Sequence, residues 1–79
     1  ENHYEAFKWY KKAAEQGHEV AQNNLAGCYL DGIGTKKDKN KAVQWFHKAA
    51  AQKSILAIKN LISLGEETDE EMEYYLESD

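Results

Sequence analysis

Apolar and polar positions alternate along this 79-residue chain with the period of amphipathic α-helices. The pattern predicts four helices, over residues 4–16, 19–30, 39–52 and 54–64. Strand-like alternation is absent, and there is no proline to interrupt a helix. We therefore expect an all-α protein made of antiparallel helix pairs.

Each predicted helix has an apolar stripe that we expect to form the core. In chain order the stripes are Ala6, Trp9, Tyr10, Ala13 and Ala14; then Ala21, Leu25, Cys28 and Tyr29; then Ala42, Trp45, Phe46, Ala49 and Ala50; then Ile55, Leu56, Ile58, Leu61, Ile62 and Leu64. Trp9 and Trp45 could each be a binding hot spot, because Trp is enriched at such positions. Their place among small alanines favours core packing instead.

The chain also repeats itself at a spacing of 36 residues. Residues 6–16 align with residues 42–52, and Ala21, Asn24 and Leu25 recur as Ala57, Asn60 and Leu61. A period in this range is typical of stacked-repeat solenoids, in which each unit buries its apolar face only against its neighbours. Such proteins usually present surfaces rather than catalytic pockets.

Glycine and aspartate mark the helix ends. Gly17 and Gly65 each follow the last residue of a predicted helix, where a left-handed cap favours glycine. Gly32 and Gly34 lie in the loop over residues 31–37, and Asp38 is placed to cap the third helix.

The charge is unevenly distributed. Residues 1–65 contain ten Lys and six acidic residues, whereas residues 66–79 contain eight acidic residues and no base. In this tail Thr68 and Glu71 form a capping-box pattern, and Met72, Tyr75 and Leu76 follow at helical spacing. A short helix covering the open end of the stack and a disordered acidic tail are both compatible with this pattern.

Many positions at fixed spacing resemble the Sel-one-like repeat, which is related to the tetratricopeptide repeat. The matching residues are Ala21, Leu25, Tyr29, Gly32, Gly34, Asp38, Lys41, Ala42, Trp45, Phe46, Lys48, Ala49 and Ala50. A tetratricopeptide repeat proper has a period of about 34 residues and commonly a proline after its second helix. The chain departs from the Sel-one-like pattern at Ala26, Thr35, Lys53, Ile62 and Gly65.

The resemblance implies a right-handed α-α superhelical solenoid of antiparallel helix pairs. Residues 1–65 would be the repeat segment, composed of a half repeat, one full repeat and a degenerate half repeat. Residues 66–79 would be an acidic tail with a short capping helix as one alternative. The family's members are adaptors and scaffolds, so the resemblance implies binding to a peptide or helix of a protein partner.

No residue pattern predicts catalysis, a cofactor or a metal. Cys28 lies on an apolar stripe without an activating environment, and His3, His18 and His47 are too far apart for a zinc site. The basic run over residues 36–41 is short and lacks stacking aromatic residues, so we expect no nucleic-acid partner. The chain has no apolar segment long enough to insert into a membrane.

The candidate partner-binding residues lie beside the core stripes of the second and fourth helices. In repeat solenoids the first helix of each repeat commonly lines the concave face, which here predicts a shallow groove formed by Asn23, Gly27, Lys59 and Ser63. These could equally be ordinary solvent-facing residues. The alternative function is a regulatory or targeting appendage of an enzyme whose catalytic domain lies outside this sequence. Exposed repeat ends also predict self-association.

Overall fold

The described part of the chain contains five α-helices and no strand. The computed structural model describes residues 2–77, and of Glu77 only the main chain. The helices are α1 His3–Glu15, α2 Glu19–Asp31, α3 Lys39–Ala51, α4 Ile55–Ser63 and α5 Glu70–Glu77. The all-α prediction is confirmed, and the first four helices lie within one residue of their predicted bounds at each end.

Helix starts repeat with the same period as the sequence. Asn2 caps α1, where its Oδ1 accepts a hydrogen bond of 2.9 Å from the Tyr4 amide. Asp38, 36 residues later, caps α3 by accepting from the Lys41 amide at 3.1 Å. Because each cap satisfies a main-chain donor that the helix leaves free, these polar residues fix where the two helices begin.

The predicted capping box at Thr68 is wrong. Asp69 is the residue that caps α5, since its Oδ1 accepts a 2.8 Å hydrogen bond from the Met72 amide. The Thr68 hydroxyl donates instead to the Glu73 carboxylate at 2.8 Å. An aspartate one position later competes successfully because its carboxylate is a strong acceptor for an amide in the first turn.

The turns after α1 and α3 and the loop between α2 and α3 contain residues with positive φ, where glycine is favoured. Gly17 follows α1 with φ 96°, and Lys53 occupies the equivalent position after α3 with φ 71°. Gly34 has φ 76° and lies so close to α1 that a Cβ there would overlap the His3 carbonyl. The loop between α2 and α3 therefore packs directly on the start of α1.

The helices pack mainly on their neighbours in sequence, around one continuous core. The largest fully buried side chains are Leu25, Phe46, Ile58 and Leu61. Met72, Tyr75 and Leu76 of α5 pack against this core from the C-terminal side. Residues 78 and 79 of the predicted tail, and residue 1 of the predicted repeat segment, lie outside the described residues.

The predicted stripe of α1 requires a correction. Trp9 is 69% exposed rather than buried, and Ala6, Tyr10 and Ala13 are only half-buried. Phe7, which the prediction omitted, is buried instead and meets Tyr29 edge-on with ring centroids 5.5 Å apart. The reason is that α1 packs mainly on α2 and on the loop that follows α2, so only the side of α1 that faces them is covered. Trp45 differs from Trp9, because it is half-buried and packs against the core.

The stripe of α4 also requires a correction. Ile55, Leu56 and Ile62 are exposed, whereas the small Ala57 is fully buried beside Ile58 and Leu61. Apolar residues occur on more than one side of this helix, so their presence alone does not reveal which side faces the core.

Candidate functional site

Helices α2 and α4 adjoin on the face where the groove is predicted. The Asn60 Nδ2 donates a hydrogen bond of 3.3 Å to Asn23 Oδ1, which joins α4 to α2 directly. Because the 36-residue period relates these two helices, residues at equivalent positions form matching stripes along them. Lys59 is thus the counterpart of Asn23 one period later, and Ser63 is the counterpart of Gly27.

The structure brings two of the four predicted groove residues into one cleft. Asn23 and Gly27 are half-buried and line a cleft of about 510 Å³, together with Asn24 and Asn60. Lys59 and Ser63 are exposed on α4 and do not line this cleft. The predicted groove residues therefore consist of a recessed half on α2 and an open half on α4.

Gly27 has no packing role inside the chain. It lies in the middle of α2, and a Cβ built on it would meet nothing within 4 Å. Glycine in a helix interior is less stable than alanine by about 1 kcal/mol. Ala26, next to it, is completely buried. The bare backbone at Gly27 therefore faces open space, at a cost in stability that no internal contact explains.

Two apolar side chains lie exposed on the same stripes. Val20 is 69% exposed and Leu56, its counterpart one period later, is 59% exposed. Val20 precedes Asn23 and Gly27 by one and two helical turns, and Leu56 precedes Lys59 and Ser63 in the same way. We define the groove stripes as these six residues: Val20, Asn23, Gly27, Leu56, Lys59 and Ser63.

Gln22 and Gln52 form a hydrogen-bonded pair that connects the two repeats near their turns. Gln52 Nε2 donates to the Gly17 carbonyl at 2.8 Å and to Gln22 Oε1 at 2.9 Å. The buried Gln22 donates in turn to the Ala14 carbonyl at 3.2 Å. The end of α3 is thereby tied to the turn between α1 and α2, which keeps α2 fixed relative to its neighbours.

Asn60 and Gln22 were not predicted as structural or site residues. The recurrence of Asn24 as Asn60 and of Gln16 as Gln52 was the available signal, since polar residues repeated within an otherwise variable helix mark contacts between repeats. The sequence does not show which acceptors the amides of Gln52 and Asn60 meet, because those acceptors lie 30 to 37 residues away.

Cys28 lines the cleft but lacks the environment that activates a catalytic cysteine. Its side chain is buried, and burial, assisted by the charge of Asp31, raises the pKa of the thiol above its ordinary value. A reactive cysteine requires the opposite shift. Among residues 2–77 no group of three His, Cys, Asp or Glu side chains could hold a metal ion. No helix in this part of the chain is long and apolar enough to cross a membrane.

The fold and its repeating contacts identify the class of protein as a helical-repeat solenoid. The Sel1 repeat model, which describes the Sel-one-like repeat, matches residues 1–18 and 20–54. The chain belongs to the Sel1 repeat family.

Three relatives carry the same repeat. A Sel1 repeat protein from Oxalobacter formigenes superposes with a TM-score of 0.78 at 36% identity, covering 94% of this chain and 33% of that one. A protective antigen of uropathogenic Escherichia coli with an SLR fold gives a TM-score of 0.74 at 39% identity, covering 85% of this chain and 15% of the other. The Sel1-like repeat-containing protein L18 of Acanthamoeba polyphaga mimivirus is 48% identical over 42 residues, which are 53% of this chain and 7% of that protein.

The chain thus spans about a third or less of the length of these relatives. The two structural matches confirm the helical-repeat solenoid, and Sel1 repeats are in general protein–protein interaction modules. The coarse function follows from the family, whereas the location of the binding surface must be argued from this chain's own residues.

Proposed function

We propose that this chain is a protein-interaction scaffold or adaptor that binds a peptide or helix of its partner along the groove stripes of α2 and α4. The observation that supports this most directly is Gly27, whose exposed backbone has no internal use. A partner can approach closer at glycine than at any other residue. The four predicted residues Asn23, Gly27, Lys59 and Ser63 would then all contact the partner.

The chemistry of the stripes indicates what the partner offers. Val20 and Leu56 present apolar surface to solvent, and an apolar partner side chain would cover both. Lys59 is exposed and supplies a positive charge, so a carboxylate on the partner fits beside it. Asn23 keeps its amide nitrogen as a donor, since its oxygen accepts from Asn60. The partner segment is therefore apolar at one end and acidic or hydrogen-bonding at the other.

The test begins with peptides selected on the purified chain from a random-peptide phage library. Their affinities are then measured by fluorescence anisotropy for the wild type and for Gly27→Leu. This substitution fills the open space at the groove. We expect the fold to tolerate it, because apart from the adjacent residues and the backbone of α2 itself no atom lies within 4 Å of the new Cβ. We expect binding to fall at least tenfold, with circular dichroism and the melting temperature showing an intact fold.

Two charge variants separate the groove from general electrostatics. Lys59→Glu should weaken binding of peptides that carry a carboxylate, whereas Lys11→Glu changes an exposed lysine of α1 and should leave binding unchanged. Selected peptides that bind Gly27→Leu and Lys59→Glu as tightly as the wild type would place the interaction elsewhere and overturn the proposal. Failure to select any peptide, in repeated rounds, would count against peptide binding by this chain.

A further inference from the structure

The C-terminal end of α2 carries an acidic side chain that no lysine neutralises. Asp31 is the last residue of α2 and is exposed. In the part of the chain that the structure describes, the single ion pair joins Lys8 to Glu5. Lys37 comes near, since its stem lies beside Gly32, but it forms no ion pair with the Asp31 carboxylate. The negative charge of Asp31 therefore stays uncompensated at the protein surface.

A carboxylate at this position costs stability. The last carbonyls of a helix have no donor within the helix and give that end a partial negative charge, so a further negative charge there is unfavourable. The main-chain carbonyls of Leu30 and Asp31 accept no hydrogen bond from the described residues. Asp31, like Gly27, thus lowers the stability of α2 without an internal contact that explains its presence.

The same carboxylate lies at the cleft of about 510 Å³ in the candidate site. Asp31 lines this cleft beside Leu30, which is half-buried, and Ile33, which is 37% exposed. Burial and, second to it, the charge of Asp31 raise the pKa of the Cys28 thiol, which lines the cleft as well. The volume of the cleft lies in the range of ligand sites, about 300–1,000 Å³. The cleft therefore combines a negatively charged end with apolar surface.

We propose that this end of the cleft binds an arginine side chain of the partner segment, with Asp31 as its counterion. A guanidinium presents its N–H donors in a planar fork that matches a carboxylate, and further donors remain for the free carbonyls at the end of α2. The aliphatic stem of the arginine packs on Leu30 and Ile33. A lysine ammonium has fewer donors and no planar fork, so it satisfies fewer of these acceptors.

This inference rests on the proposed function for its partner segment and extends it. Asp31 follows Gly27 by about one helical turn, and Asn23 and Gly27 line the same cleft. Val20 precedes all three residues on α2. The partner segment thus runs along α2 with an apolar residue at Val20 and an arginine at Asp31, beyond the residue that meets Lys59.

The first test uses N-acetyl-arginine amide as the probe and needs no partner peptide. In an NMR titration of the ¹⁵N-labelled chain, the probe should shift the main-chain amide signals of Asp31, Gly32 and Ile33 and reach saturation at millimolar concentrations. N-acetyl-citrulline amide has nearly the same shape without the charge and should leave these signals unmoved. Asp31→Asn should weaken binding of the arginine probe by about fivefold or more.

Glu67→Gln is the matched control. Glu67 is the counterpart of Asp31 one period later and is exposed like it, but it lines a different cleft together with Glu66 and Glu73. This substitution should leave the shifts at Ile33 as large as in the wild type. Equal effects of Asp31→Asn and Glu67→Gln would show only a general attraction between arginine and acidic residues, and would overturn the proposal.

The stability of the Asp31→Asn chain gives an independent readout. Its melting temperature should rise by about 1–5 °C, because the substitution removes a negative charge from the negative end of α2. A fall in the melting temperature would assign Asp31 an internal structural role and contradict the proposal.

The second test uses the selected peptides that contain arginine, resynthesised with citrulline in its place. Fluorescence anisotropy should show binding to the wild type weakened by about fivefold or more, with little further change for Asp31→Asn. Equal weakening for both chains would place the arginine elsewhere and overturn this inference, while the groove itself stands. Binding of the arginine probe without any selected peptide would support the Asp31 site while the proposed function fails.

Discussion

Gln52 donates a hydrogen bond of 2.8 Å from its side-chain amide to the main-chain carbonyl of Gly17, which lies 35 residues earlier. The same amide also reaches Gln22 Oε1. This contact joins the end of α3 to the turn between α1 and α2. The solenoid is therefore held together by polar contacts at its turns as well as by apolar packing.

Gln52→Ala should reduce the free energy of unfolding by about 1–2 kcal/mol, because two hydrogen bonds are lost and the Gln22 oxygen is left without its donor. The measurement is chemical denaturation followed by circular dichroism. Gln52 and Gln16 are both exposed, but only Gln52 makes these two hydrogen bonds. Gln16→Ala, one period earlier, should therefore change stability by less than about 0.5 kcal/mol. Equal effects of the two substitutions would show that the Gln52 contact adds nothing.

Gly34→Ala should be severely destabilising, by about 3 kcal/mol or more. Its φ of 76° is unfavourable for alanine, and the added Cβ would overlap main-chain atoms of His3 that cannot move without shifting α1. Gly65→Ala is the matched control, since Gly65 has φ 78° but open space around it. The control should cost only about 1–2 kcal/mol. If thermal denaturation shows the same loss for both, the close approach to α1 is unimportant.

Lys53→Gly should stabilise the chain by about 1 kcal/mol, because Lys53 has φ 71° where the preceding repeat has Gly17. Part of the gain is offset by the loss of the Lys53 contact with the Tyr75 ring, at 5.4 Å. The gain should therefore be larger when Tyr75 is first replaced by leucine. Both the gain and its dependence on Tyr75 are measured by urea denaturation of the wild type, Lys53→Gly, Tyr75→Leu and the double variant. If Lys53→Gly lowers stability in the Tyr75→Leu background, the strain assigned to Lys53 is contradicted.

Cys28 should react with thiol reagents much more slowly in the folded chain than in urea. Burial raises the pKa of its thiol, so the folded state favours the protonated form. The resulting contribution to stability is complete below the pKa of the unfolded thiol and is lost as the pH rises through the higher pKa of the folded one. Stability followed against pH should therefore fall more steeply above about pH 8.5 in the wild type than in Cys28→Ala. Rapid labelling of native protein at neutral pH would contradict this.

The sequence was sufficient to predict the first four helices, the helix-end residues Asp38 and Gly17, and the repeat family, whereas it left a helix and a disordered tail open for α5. Local signals determine these features, because a cap or a period is encoded within a few residues or by self-similarity. The exposure of Trp9 was predicted wrongly for a physical reason. Trp9 and Trp45 lie in the same local sequence pattern, but α3 packs on both α2 and α4, whereas α1 packs mainly on α2.

The groove was predicted less completely than the fold. Asn23 and Gly27 were placed on one stripe from helical spacing, and the structure shows them lining one cleft. The hydrogen bond between Asn23 and Asn60 could not be predicted, because it depends on the lateral distance between two helices rather than on the spacing within one. The same limit applies to Ile55 and Ile62, whose exposure depends on how α4 is rotated against α3.

The most direct test of the proposed groove is to map a selected peptide on the ¹⁵N-labelled chain by NMR. The account predicts that the largest shifts of main-chain amide signals occur at Asn23, Gly27, Lys59 and Ser63, with those of α1 and α5 nearly unchanged. Shifts confined to α1 or α5, with the signals of the four groove residues unmoved, would contradict the claim that α2 and α4 bind the partner.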